Sequence, residues 1–475
     1  MSRSILGNGE LGRGEKVVLV TMACALGCVL ISLCCGVLAA LYYVPRLAVW
    51  MAQRNLSLVQ LRPLHTTFAS AWIFLAAVAC VYKFLGDRFG APSAADMQRF
   101  RLQMVCWGMA GLGALVTLPL GITSGREYLG FHPALSMLIA VGWALFAWTF
   151  VAKVRKDFWR RPVYVYMWSV GILFFLWTFA EGHAWLLPFV SDNPVADLQI
   201  QWKSCGTLVA SFNQMVYGAL LYLGEKRSGD PRIAQSRTAF ALFGVGLLNS
   251  FTNYAHHTYH LPQSHVVKWV AFVASMLEIV ILVRVFHEVT AAVPRKGVSF
   301  RRYCASSRLL ELSKRWNLFL LSVAILISVP PLNALIHGTH VVMAHAMGSE
   351  LAIDSYVLLA FFAWTLAEVF PKREVREGII DNPAVRESIV LVNAALVCLV
   401  ALLLVRGLTT GVTRYLGSED PVWIEGFPYT FAFAGTVLAI FLLRVLYQWL
   451  PLFVRPAAHK RWRDGLASGA EPETQ

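Results

Sequence analysis

Histidine is the residue whose placement in this chain asks for chemistry. The sequence holds 12 of them, and several stand where long apolar runs begin or end. His65 opens one run. His256 and His257 close another, with His260 just beyond. His337 and His340 stand at a junction between two runs, and His345 lies a little way into the second of them. Neutral imidazole is the commonest metal ligand among side chains. Adjacent His256 and His257 would be about 100° apart on a helix, so they face one ion only where a helix ends and the backbone adjusts. His345 and Met347 are about 200° apart, so one helix can present them to two different iron centres. Methionine is a haem ligand, and a His/Met pair raises the reduction potential relative to two histidines. Glu278 stands inside an apolar run, where a carboxylate is costly and usually functional.

The elements that position these residues follow from composition. The chain has 475 residues, 57% hydrophobic and 14% charged. A soluble chain is nearer 45–50% apolar and about 25% charged. This excludes a soluble multi-domain enzyme, a disordered chain and a disulfide-stapled module. About 20 apolar residues span the hydrocarbon core as a helix. Twelve such runs occur, at about 17–43, 65–86, 103–122, 134–153, 163–187, 200–224, 236–257, 264–287, 316–336, 339–370, 387–408 and 426–452. The expected architecture is an all-α integral membrane protein, one twelve-helix domain over 1–475. The first run is long enough to be a retained helix rather than a signal peptide. With the N-terminus cytoplasmic, 32 of the 41 Lys and Arg fall in cytoplasmic segments. Both termini are therefore expected in the cytoplasm, and the net charge of +14 reads as topology rather than nucleic-acid binding. Six of the seven clustered histidines then share one depth near the outer face. The nine cysteines mostly sit in apolar runs and form no C-x-x-C pair, as small buried hydrophobes do.

The motifs that these histidines sit in resemble a known family. They are Leu61-Arg-Pro-Leu-His65-Thr66, Gly125-Arg-Glu-Tyr-Leu129, Ala255-His-His-Thr-Tyr259, Ser275-Met-Leu-Glu278 and His337-Gly-Thr-His-Val-Val-Met-Ala-His345. The set resembles the catalytic subunit of the haem-copper oxidase superfamily. It is most similar to the large subunit of the cytochrome c-dependent nitric oxide reductases, and the likeness covers nearly the whole chain. The resemblance implies that His65 ligates a low-spin haem b and His345 a high-spin haem b. It implies that His256 and His257 hold the non-haem metal facing that haem, and that Glu127 ligates a calcium ion bridging haem propionates. Glu278 would be a buried carboxylate serving proton delivery or the electrostatics of the metal. His183, beside Glu181, would be an interface or propionate-contact residue.

Departures from the family pattern are as informative. Where the family has His-x-His, this chain has His345-Ala-Met347, so Met347 becomes the second ligand of the low-spin haem or that haem is altered. Cys205 stands at the place of a third metal histidine, and Val209 and Asn213 replace two carboxylates. Cys205 and His260 are both candidates for a third ligand. Imidazole and thiolate suit copper, so copper is as good a fit as iron; an empty site is a third reading. The oxidase relatives carry a tyrosine upstream of the histidine pair, where this chain has Ser250, so NO chemistry is favoured over dioxygen reduction. No C-x-x-C-H haem-attachment motif occurs, so electrons are expected from a membrane-anchored c-type cytochrome. The resulting expectation is a nitric oxide reductase-like subunit of the inner (plasma) membrane with its site toward the periplasmic side. The alternatives are a haem b protein that binds or senses NO or passes electrons without turnover, and a transporter without cofactor.

Overall fold

The computed structural model describes residues 11–54, 56–126, 128–252, 259, 263–292, 304–454 and 456. His256, His257, His260 and Glu127 lie outside the described residues. Among the described residues there is helix, turn and loop, and no strand. The long helices, in chain order, are α1 (Arg13–Leu41), α2 (Leu58–Phe89), α3 (Ala94–Thr117), α4 (Pro133–Val154), α5 (Val163–Glu181) and α6 (Pro194–Ser228). They continue with α7 (Arg237–Thr252), α8 (His265–Ala291), α9 (Cys304–Ser328), α10 (His340–Val369), α11 (Pro383–Leu416) and α12 (Phe427–Val454). Their ends are written in the sequence. At α6, Asn193 accepts from Ala196 N at 3.2 Å, Pro194 takes the first helical position, and Gly229 closes the helix at φ +69°. At α11, Asn382, Pro383 and Gly417 repeat the device, with φ +62° at the glycine. Proline at the first position and a left-handed glycine after the last match the groups each helix end leaves unsatisfied.

Nine described helices are long and apolar enough to cross a membrane. A tenth span is the pair α9 and Pro330–Ile336, bent by 95° at Val329, where Pro330 and Pro331 stop the helix. Of the expected runs, 200–224 falls short of that standard because it lies in α6, whose 35 residues include Asp197, Gln201, Lys203, Asn213 and Gln214. The run 236–257 is described only as far as Thr252, as α7, and its remainder lies outside the described residues. The outer surface is apolar, with Leu120, Trp177, Val280 and Phe433 exposed, as a lipid-facing surface must be. This is a multi-pass membrane protein.

One helix sits in the middle. α10 is almost wholly enclosed by the others, and glycines let its neighbours close on it. A Cβ at Gly407 of α11 would collide with Val341, and one at Gly348 would lie 2.8 Å from Leu320 of α9. α10 is not uniform. His340–Gly348 is α-helical, Ser349–Asp354 is a π-helical segment, and Ser355–Val369 is α-helical again. The Ser355 hydroxyl donates to the Glu350 carbonyl at 2.7 Å, satisfying a group in the widened turn. Such insertions cost backbone bonding and cluster at functional sites.

Candidate functional site

His345 and Met347 stand on the helical first part of α10. The Nδ1 of His345 is buried without a hydrogen-bond partner, although the Leu320 carbonyl of α9 faces the ring. A buried imidazole left this way is an exception that asks for a partner. Met347 is partly buried against the core.

His65 lies two turns inside α2 rather than at its start, and α1 holds its ring. Its Nδ1 is 2.9 Å from the Ser32 carbonyl and 3.1 Å from the Ser32 hydroxyl. A carbonyl has no proton to give, so Nδ1 donates and Nε2 keeps its lone pair. That tautomer is the one a metal-bound histidine needs. One turn along α1, a Cβ at Gly36 would fall 2.8 Å from the same Nδ1. The glycine makes the room in which the ring lies. The level of His65 can be read from the packing of α2 on α10. Trp72 Nε1 donates to Ser355 Oγ at 2.9 Å, and Lys83 lies over the Trp364 ring, so the two helices run parallel. Counting back along both sets His65 level with the His345–Gly348 turn. The donor set fits haem iron: a poised Nε2 on α2, and an imidazole and a thioether on the enclosed helix.

Glu278 of α8 is buried and accepts from Asn249 Nδ2 of α7. Ser275 donates to Asn249 Oδ1 at 3.2 Å. Gln214 of α6 and Glu278 both crowd the bare Cα of Gly246, and the Gln214 Oε1 is unpartnered. Tyr217 of α6 and Glu350 and Asp354 of α10 are further polar side chains of this core, and Asp354 is buried in the π segment. Asn317 of α9 is fully buried, and neither of its side-chain atoms has a partner. Ser313 donates to the Ile353 carbonyl and Leu320 packs at Gly348, so Asn317 falls at the level of Glu350. Glu350, Asp354 and Asn317 were not among the residues that motif reading selects. Their signal was available: carboxylates within an apolar run are rare.

Other expected residues fare differently. Cys205 is buried on α6. Among the described residues no three His, Cys, Asp or Glu side chains converge as a metal site; the expected pair His256 and His257 is outside them. Tyr259, next along, has a buried hydroxyl without a partner, and burial pushes its phenol up to about 12. Glu127 also lies outside, but its neighbour Arg126 is pinned to Asp197 at 2.8 and 2.9 Å. His183, expected as an interface or propionate-contact residue, is bonded within the protein. Its Nδ1 donates to the Phe179 carbonyl at 2.6 Å and its Nε2 accepts from Ser136 at 2.7 Å, so both nitrogens are used within the protein.

Among the described residues the domain is helical, with His345 and Met347 on its enclosed helix and His65 on α2 beside it. Residues 16–455 match the family model described as cytochrome c and quinol oxidase polypeptide I. The chain belongs to that family, whose members are oxidoreductase subunits that bind haems and a further metal. No curated protein matches the chain. Among solved structures, a heme-copper terminal oxidase dimer is similar at a TM-score of 0.68 and 11% identity, over 94% of this chain and 84% of that one. At that identity the likeness is one of fold.

Proposed function

We propose that the chain is a nitric oxide reductase-like catalytic subunit. It joins two NO molecules, two electrons and two protons into one nitrous oxide and one water. It is a twelve-span protein of the inner membrane with both termini cytoplasmic and its site toward the periplasm. A membrane-anchored c-type cytochrome delivers the electrons. Two haems b and a non-haem iron or copper supply, when bound, one-electron transfer and the binding of NO. His65 and Met347 hold the low-spin haem, and His345 the high-spin haem. His256, His257 and Cys205 hold the non-haem metal. Glu127 holds a calcium ion.

The chain's own residues do the rest. Ser32 and Gly36 orient His65, so that its Nε2 is presented without rearrangement. Glu278 holds a proton close to the metal site, with Asn249 fixing its carboxyl. Asp354 and Glu350, on the π segment of α10, are further carboxyl groups that hold protons in the core. The observation that carries the NO reading is at Ser250. It is buried, and its hydroxyl donates to the Gly246 carbonyl, so that position offers no phenol for dioxygen chemistry.

The test is a set of spectra of the purified protein, oxidised and dithionite-reduced, with and without NO, beside elemental analysis of the same sample. Two haems b per chain, one further Fe or Cu, and a reduced spectrum that shifts with NO support the reading. Haem without the further metal, and no nitrous oxide formed, moves the protein to an NO-binding or electron-transfer role. The loss of Val209 and Asn213 as carboxylates favours that second reading. A folded protein without haem sinks both.

A further inference from the structure

At the membrane face that carries most of the Lys and Arg, α6 and α8 end and α9 and α11 begin. Between these ends lies a cavity of about 500 Å³. Arg227 of α6 and Arg308 and Arg315 of α9 line it, and Glu311 is the one carboxylate in its lining. Arg227 donates to the Ser307 hydroxyl, and Arg308 to the Arg386 carbonyl at 3.2 Å. Glu311 lies 3.6 Å from Arg315 but 2.7 Å from Lys314, so its charge is shared with a second cation. Among the described residues, three arginines and one carboxylate therefore line the cavity, and its lining carries a net positive charge.

The floor is equally specific. Asn393 of α11 accepts from Trp316 Nε1 at 2.8 Å through its oxygen, which leaves its amide N–H groups to donate. Val390 forms part of the wall and is 53% exposed. Beyond the floor, the flanks of α9 and α11 continue as exposed apolar surface at Phe319 and Val397. The cavity thus has a cationic, donor-rich head beside exposed apolar surface of α9 and α11. Arginine forks match phosphate oxygens in pairs, and basic pockets between spans at a membrane surface take anionic headgroups. We propose that this cavity binds the phosphate headgroup of an anionic phospholipid, one per chain, with the acyl chains along α9 and α11. A soluble phosphate would meet the same arginines but would gain nothing from the apolar flank.

The test uses the full chain purified in neutral detergent and titrated with phosphatidylglycerol or phosphatidylcholine. Bound lipid is counted by native mass spectrometry. One phosphatidylglycerol is expected to bind at least about tenfold more tightly than phosphatidylcholine, the scale of a few arginine contacts at a membrane surface. Millimolar inorganic phosphate should not displace it. The double variant Arg308→Gln/Arg315→Gln should lose the preference. Arg373→Gln, on the same face but outside the cavity, should keep it. Arg315→Gln alone covers the case in which the double variant does not fold, because that side chain is 72% exposed; it should lose part of the preference. Equal binding of the two lipids, displacement by phosphate, or variants that bind like the wild type would each overturn the proposal.

Discussion

Two regions of this bundle solve the same packing problem in opposite ways. Between α2, α4, α5 and α6 the interior is packed with aromatic rings. Trp143 stacks on Phe175 with ring centroids 3.9 Å apart, Phe175 stacks on Phe179, and Phe74 sits edge-on to both Trp143 and Phe175. Trp107, Trp143 and Trp168 each donate to a backbone carbonyl. What space remains is an apolar cavity of about 150 Å³. Around α10 the interior is left unfinished. His345 Nδ1, both polar atoms of Asn317, Gln214 Oε1 and Trp364 Nε1 are buried without partners. Buried polar groups are nearly always bonded to protein or water. The first region has one such open atom at its cavity, Thr67 Oγ1, but ring packing dominates it. The second concentrates them on and around one helix.

The sharpest break of this comparison sets His345→Ala against Trp143→Ala. If His345 holds a haem as proposed, removing its imidazole should eliminate one haem per chain and reduce turnover by more than the roughly 10–100-fold typical of losing a second-shell partner. Trp143→Ala should cost about 3–5 kcal/mol of stability and leave the haem-to-protein ratio unchanged. A pyridine haemochrome assay beside a thermal melt reads both. If Trp143→Ala also lost haem stoichiometrically, the two regions would not be separable.

A smaller effect is expected at Glu278→Gln. The amide keeps an acceptor for Asn249 but holds no titratable proton. Turnover should fall about 100-fold, the lower range for losing a positioned acid or base, with haem spectra unchanged. Stopped-flow NO reduction against pH would show it, and an unaltered rate would remove Glu278 from the proton path. The smallest change is Gly36→Ala. One methyl group pressing on His65 should weaken haem retention by about tenfold while the helix keeps its length. Haem loss to an acceptor protein measures it, and wild-type retention would mean that α1 does not set the ring.

Much of this was legible in the residues. The apolar runs located the helices, and the histidine motifs led to α2 and α10. What escaped reading depended on distance or on period. His183 is a structural link because Ser136, 47 residues away, meets its second nitrogen, and no local pattern shows such a pairing. Glu350 and Asp354 escaped because the run 339–370 reads as one regular helix, whereas six of its residues form a wider turn. The expected span that proved too polar is α6, which also carries Gln214 and Cys205. A helix that lends polar groups to a site loses the apolar signature by which spans are recognised.

The widened turn in α10 holds one residue more than an α-helix of similar rise. Six π-helical residues turn the chain about as far as five α-helical ones, so the two flanking halves keep their faces. Deleting one residue between Ser349 and Asp354 should therefore restore a continuous α-helix and leave Tyr356, Phe362 and Trp364 facing the neighbours they have now. What it would remove is the local widening that Ser355 bridges to the Glu350 carbonyl. A deletion in either α-helical half would instead rotate everything beyond it by about 100°. The turn is thus a place where α10 can change its length without changing its faces.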